Sequence, residues 1–189
     1  MGRFPSLISN RGLRSSLNNG KNYYNDQPHS LVALLTKQYE SWENNSGVDF
    51  VVIKGNGRSF CAGGDVVGAY RMLKEGRVEE CKEFFRTLYS FVYLVATYSK
   101  PHVAIMDGIT MGGGAGIAVH ASYRLATEKT VFAMPEVLIG FHPDVGSSYY
   151  LSRLPGHLGE YLGLTGATLS GEEMLFCGLA THYSLSAVC

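Results

Sequence analysis

Two glycine-rich turns constrain this chain more than anything else in it. Phe60-Cys-Ala-Gly-Gly-Asp65 follows the apolar run at residues 51–53, and Gly108-Ile-Thr-Met-Gly-Gly-Gly-Ala-Gly116 follows residues 103–105. Each turn sits where a helix can begin. Side by side at the ends of neighbouring strands, two such turns would aim two backbone N–H groups at one point. That is the geometry of an oxyanion hole, which stabilises charge developing on a carbonyl oxygen. Glycine suits the task because a side chain would restrict the backbone and block close approach of a ligand.

The rest of the pattern alternates strands with helices. Leu31, Leu34, Leu35, Tyr39 and Trp42 have helical spacing. Residues 49–54 form a short apolar run, as in a strand buried on both faces, and Gly55-Asn-Gly57 ends it. Residues 79–97 place Cys81, Phe84, Phe85, Leu88, Phe91, Val92 and Val95 on one broad helix face, which Lys100-Pro101 stops. A strand over 102–106, a small buried helix over 113–120 and strands over 123–126 and 131–133 follow. A short helix is expected after Pro143-Asp144 and another over 158–164. Ser170-Gly-Glu-Glu173 is a capping box that opens a helix to Cys177, with Gly178 as the stop. The class is α/β with right-handed crossovers. The 189 residues fit one domain, 29–189, after a divergent amino terminus, 1–28.

Several function classes drop out. Lys+Arg and Asp+Glu both count 16, and a formal net charge of zero argues against a nucleic-acid partner. The triplet at 112–114 is not a dinucleotide fingerprint. Its G-x-G-x-x-G spacing fails at Ile117, and Glu128 comes too early to hold a ribose. The four cysteines contain no CxxC, and no histidine falls at zinc spacing, so no metal is expected and a reducing compartment fits. No apolar run reaches the length of a membrane span. The first 25 residues hold Arg3, Arg11, Arg14 and Lys21 with four serines and no acid, the composition of an organelle transit peptide. A disordered or mis-assembled amino terminus would look the same.

The two turns, together with Phe132-Ala-Met-Pro-Glu136, resemble the crotonase (enoyl-CoA hydratase/isomerase) superfamily. Ile139-Gly-Phe-His-Pro-Asp-Val-Gly146, Tyr149-Tyr-Leu-Ser-Arg-Leu154, Leu164-Thr-Gly166 and Cys177-Gly-Leu-Ala-Thr-His182 are similar to its 3-hydroxyisobutyryl-CoA hydrolase branch, the plant-type members above all. The resemblance covers residues 48–183 and is specific, because these motifs occur jointly and in order. It implies a ββα-spiral core that binds acyl-CoA and forms homo-oligomers such as trimers or hexamers. It puts the oxyanion hole on the N–H groups of Gly64 and Gly113, with Gly113 opening a helix whose dipole adds to the field. It implies further substrate contacts at Gly63, Gly112 and Gly114. Hydratases of the superfamily carry two catalytic glutamates; here the first position is Gly116 and only Glu136 remains. Hydrolases pair that glutamate with the aspartate of a Pro-Asp motif, here Asp144. An acid on the long helix, found in some members, is matched by Leu88.

Two departures stand out. Residues 8–20 keep only a trace of the family's first turn, and family members continue past Cys189 with a carboxy-terminal helical region. The expected chain is therefore a truncated core whose uncovered apolar faces drive self-association.

Plainer structural roles are open to several of these residues. Glu136 alone could be a surface acid at a strand end, and Asp144 could cap the following helix. Asp65 reads as a cap. His102 and His142 read as structural, and Cys61 as a packing residue. The resemblance implies hydrolysis of a short β-hydroxyacyl-CoA thioester in valine breakdown, with no cofactor, since coenzyme A is part of the substrate. It implies a mitochondrial location, with peroxisome or cytosol as alternatives. A crotonase-type isomerisation and a non-catalytic core that pairs with full-length relatives remain open.

Overall fold

The computed structural model describes residues 6–9, 14–15 and 29–189. Three ββα units follow one another. In the first, β3 (Val51–Lys54) and β4 (Ser59–Cys61) lead to α2 (Val66–Lys74) and α3 (Val78–Ala96), after α1 (His29–Glu43). In the second, β5 (His102–Met106) and β6 (Ile109–Met111) lead to α4 (Gly113–Val119). In the third, β7 (Tyr123–Ala126) and β8 (Val131–Ala133) lead to a 3-10 helix, Pro135–Ile139, and α5 (Ser147–Leu151). The chain continues through α6 (Leu158–Thr165), β9 (Leu169–Ser170), α7 (Gly171–Phe176), β10 (His182–Tyr183) and a last 3-10 turn, Ser186–Val188.

Each unit gives one strand to each of two sheets. The first sheet contains β3, β5 and β7 as parallel neighbours, with β10 parallel to β7. Two short amino-terminal strands extend it: β1 (Ser6–Ser9) pairs antiparallel with β3, and β2 (Arg14–Ser15) with β1. The second sheet runs β4-β6-β8-β9, with only β9 antiparallel. This is the spiral that the resemblance implies. The transit-peptide reading of residues 1–28 lies outside the described residues apart from β1 and β2.

The long helix takes its expected shape. Cys81, Phe84, Leu88, Phe91, Val92 and Val95 of α3 are all buried, while Phe85 is half-buried at the edge. Leu35, Tyr39 and Trp42 of α1 face it, and Tyr39 meets Phe91 edge-on at 5.3 Å between centroids. Residues 51–54 differ from expectation. Val51 and Ile53 are fully buried, but Val52 and Lys54 are only half-buried. Asp65 caps α2 by accepting from the Gly68 N–H at 2.8 Å, and the Ser170–Glu173 capping box opens α7.

His102 is structural. Its ring lies 1% exposed, with Nε2 3.0 Å from the Tyr39 hydroxyl. Burial pushes its pKa down to about 4, so the ring stays neutral in the fold. The unfolded chain therefore binds an extra proton between the ordinary value and about 4, and stability falls as pH drops through that window. His102→Gln should flatten this acid-side loss by about 3 kcal/mol, read as denaturant midpoints at pH 7 and pH 4. Matching slopes in the two proteins would remove His102 as the cause.

Candidate active site

The second sheet builds the site. Its three parallel strands end side by side, and each delivers one element at its carboxyl end, where open parallel sheets hold their ligands. After β4 come Gly63 and Gly64; after β6, Gly112 and Gly113; after β8, Met134, Pro135 and Glu136. The two turns are therefore neighbours, as expected, but not on the expected strands. The runs at 51–53 and 103–105 lie in the first sheet, and the short strands β4 and β6 intervene. Their three residues each carry too little periodicity to be read as strands.

Gly63 (φ +112) and Gly112 (φ +51) take left-handed backbone that disfavours a side chain. The turns abut. A Cβ placed on Gly113 would stand 3.4 Å from the Gly64 nitrogen, and one on Gly63 would stand 3.7 Å from the Gly113 nitrogen. Among the described residues neither the Gly64 nor the Gly113 N–H has a protein acceptor. Gly64 is exposed and Gly113 half-buried, so neither glycine is sealed from solvent.

Glu136 closes the third side. Pro135 starts the 3-10 helix, Gly140 (φ +74) ends it, and the Phe141 N–H donates to the Glu136 carbonyl at 3.0 Å. The carboxylate leans on the glycine turn: a Cβ on Gly112 would come 2.7 Å from Oε1. Glu136 is 8% exposed, and Oε2 is buried without a hydrogen-bond partner. Burial raises its pKa, and the nearby charge of Asp144 raises it further. Glu136 is thus a buried carboxylate at the glycine turns and not an exposed surface acid.

Asp144 does not cap the following helix. Gly146 stands at the α5 cap position without any side-chain cap bond. Instead the Tyr89 hydroxyl, from α3, donates to Asp144 Oδ2 at 2.9 Å. Burial raises the Asp144 pKa, opposed by the bond from Tyr89. Tyr150 lies close enough to both carboxylates that their charges add to the burial that raises its own pKa. Leu88, matched to the acid of some family members, is buried in the core. The polar contact from the long helix comes one residue later, from Tyr89, which the sequence reading missed. The available signal was a tyrosine one position off the apolar stripe. Tyr89 also lines a groove of about 850 Å³ on the outer side of α3, with Leu73, Val78, Phe85, Arg86 and Tyr93 among its walls.

Gly114 has a packing reason of its own. A Cβ there would overlap the Cys61 carbonyl, which is backbone and cannot swing away. Gly114→Ala should therefore destabilise the chain by about 1–3 kcal/mol, toward the upper end. Thermal melting checks this; an unchanged Tm would show that α4 can move away from β4 freely. Burial pushes the Cys61 thiol pKa up, consistent with packing. His142 is exposed and stacks against Phe141 at 4.5 Å. Among the described residues no cluster of three or more His, Cys, Asp or Glu could hold a metal, and no helix is long and apolar enough to cross a membrane.

Comparison with known proteins agrees with this architecture. The enoyl-CoA hydratase/isomerase family matches residues 16–189. Small ribosomal subunit protein mS47 of Arabidopsis thaliana is 56% identical over 174 residues, 92% of this chain and 42% of that protein. The 3-hydroxyisobutyryl-CoA hydrolase-like protein 1, mitochondrial, of the same plant is 55% identical over 165 residues, 84% of this chain and 41% of that protein. The chain thus spans about two fifths of the length of these relatives. The crystal structure of an enoyl-CoA hydratase from Rhodobacter sphaeroides superposes with a TM-score of 0.82 at 36% identity, over 84% of this chain and 48% of that one. With a matching family over most of its length and a ββα spiral that ends three strands on one glycine-lined site, the chain belongs to the enoyl-CoA hydratase/isomerase family.

Proposed function

We propose that this chain carries the site of an acyl-CoA thioester hydrolase acting on 3-hydroxyisobutyryl-CoA, or a close short β-hydroxyacyl-CoA, in mitochondrial valine catabolism. The observation that carries the reading is the desolvated Glu136 carboxylate packed on the glycine turn, with Asp144 as its carboxylate neighbour. The thioester carbonyl oxygen accepts from the N–H groups of Gly64 and Gly113, flanked by Gly63, Gly112 and Gly114. Glu136 attacks the carbonyl carbon or takes a proton from water that does. In either case the carbon–sulfur bond breaks and the sulfur leaves as free coenzyme A with one proton of the water. Where Glu136 has attacked, the water oxygen then cleaves the acyl–Glu136 anhydride and frees the carboxylate; otherwise it adds to the carbonyl directly, so water supplies the new oxygen of the acid. Asp144 meets the β-hydroxyl or assists proton transfer. The hole and the carboxylates supply this chemistry without a metal or redox cofactor. A relative named as a mitochondrial hydrolase-like protein supports both the substrate and the compartment.

A second reading has its own support. The 56% identity to a protein named for the small ribosomal subunit favours a non-catalytic role as a binding partner in such a particle. It also sets an RNA-containing particle against the neutral charge, which argues against a nucleic-acid partner. A crotonase-type isomerisation, which one glutamate and the same hole could serve, is the third outcome to be distinguished. The chain is incubated with 3-hydroxyisobutyryl-CoA and, separately, with an unsaturated acyl-CoA, and the products are separated by chromatography. Free acid with coenzyme A supports hydrolysis, and a shifted double bond supports isomerisation. Co-sedimentation with small ribosomal subunits, without turnover of either thioester, would sink the catalytic reading.

Homo-oligomer formation belongs to the same proposal. Val66, Val67, Tyr70 and Leu73 of α2 are all more than half exposed, as are Leu138, Ile139 and Leu164. Zero net charge offers little repulsion between copies. The chain should sediment as an oligomer or aggregate; a stable monomer at micromolar concentration would contradict this.

A further inference from the structure

Helix α4 does more than begin at Gly113. One turn apart, Gly116 and His120 face the same loop, residues 144–146. A Cβ on Gly116 would come 2.5 Å from Val145 Cβ and 2.7 Å from its Cγ2. A Cβ on Gly146 would overlap His120 Nε2. The loop is therefore seated on α4 without slack. Val145 is the one non-glycine residue with positive φ (+46) among the described residues, and it is 2% exposed. A β-branched side chain strongly disfavours this backbone, so the packing must hold it there. The next link is direct: Asp144 precedes Val145, its carbonyl accepts from the Ser147 N–H at 2.8 Å, and its carboxylate accepts from Tyr89.

We propose that Val145 is a positioning residue for Asp144. Wedged on Gly116, its left-handed backbone fixes the Asp144 carboxylate relative to Gly113, because one helix carries both Gly113 and the seat of the loop. Asp144 is then held against Tyr89 of α3, facing Glu136 from the 3-10 helix, Tyr150 from α5 and His142 from its own loop. The catalytic consequence rests on the hydrolase reading above; the positioning does not.

The test is a double-substitution cycle read at the Asp144 carboxyl. The whole chain is labelled with carbon-13 at its aspartate carboxyls, and Asp144→Asn identifies the signal among the five aspartates. Tyr89 donates to the ionised form, so Tyr89→Phe should raise the Asp144 titration midpoint, by about one pH unit. In a Val145→Gly background the same change should move it by less than about a third as much, because Asp144 no longer sits against Tyr89. Glycine accepts the left-handed backbone, which favours folding of that variant. Gly116→Ala, which pushes on Val145 from the helix side, should decouple the pair in the same way. With 3-hydroxyisobutyryl-CoA, Val145→Gly should lower kcat about tenfold or more while KM stays within about threefold. Equal midpoint shifts in the two backgrounds would overturn the proposal and leave Val145 as a gap filler. A wild-type chain without turnover would instead overturn the hydrolase reading, and the titration cycle would still decide the role of Val145.

Discussion

Glu136→Gln is expected to remove thioester hydrolysis, with a loss of about 10³-fold or more in kcat. The amide keeps the shape of the side chain and its packing on Gly112, but it cannot attack a carbonyl or accept a proton from water. Acyl-CoA binding should survive, because the hole belongs to backbone N–H groups on other strands. The same substitution should raise stability at neutral pH. Burial, and then the charge of Asp144, raise the Glu136 pKa above its ordinary value. The folded state therefore holds a proton that the unfolded chain has released, and stability is lost as pH rises from the ordinary carboxylate range through the folded value. Glutamine never ionises. The denaturation midpoint of the variant should exceed that of the wild type at pH 8, and the gap should close at acid pH. Normal hydrolysis by Glu136→Gln, with loss in Asp144→Asn, would exchange the two roles.

Gly113→Val should cost about 10²–10³-fold in kcat with little loss of folded protein. A Cβ at this position makes an ordinary contact of 3.4 Å with the Gly64 nitrogen, so the backbone has room for it. The two methyl groups beyond it would stand in front of the two N–H groups, where the oxyanion is to sit. The adjacent position gives the opposite expectation, since Gly114→Ala overlaps backbone and damages the fold. The pair thus separates ligand space from packing space within one turn of helix. Circular dichroism and thioester turnover on both variants check it. Retained turnover in Gly113→Val would refute the hole.

Much of this was legible in the sequence for physical reasons. The helix of residues 79–97 declared itself because an apolar stripe at helical spacing must be buried, and six of its seven expected core residues are. Glu136 could be singled out because a Pro-Glu pair followed a strand and two glycine turns. Three things were not legible. Strands β4 and β6 are too short to show alternation, so the turns seemed to leave the first sheet instead of the second. Tyr89 lies 55 residues from Asp144, and only the spiral brings them together. Val145 looked like an ordinary apolar residue in a loop, because its strained backbone exists only where Gly116 leaves space for the side chain.

The most direct measurement is release of free thiol from 3-hydroxyisobutyryl-CoA by the folded wild-type chain, with Glu136→Gln and Gly113→Val run beside it and acyl-CoA binding measured on all three. The account predicts repeated turnover by the wild type and almost none by either variant. Binding should survive in Glu136→Gln. A folded wild type that binds the thioester without releasing thiol, or release that persists in both variants, would contradict it.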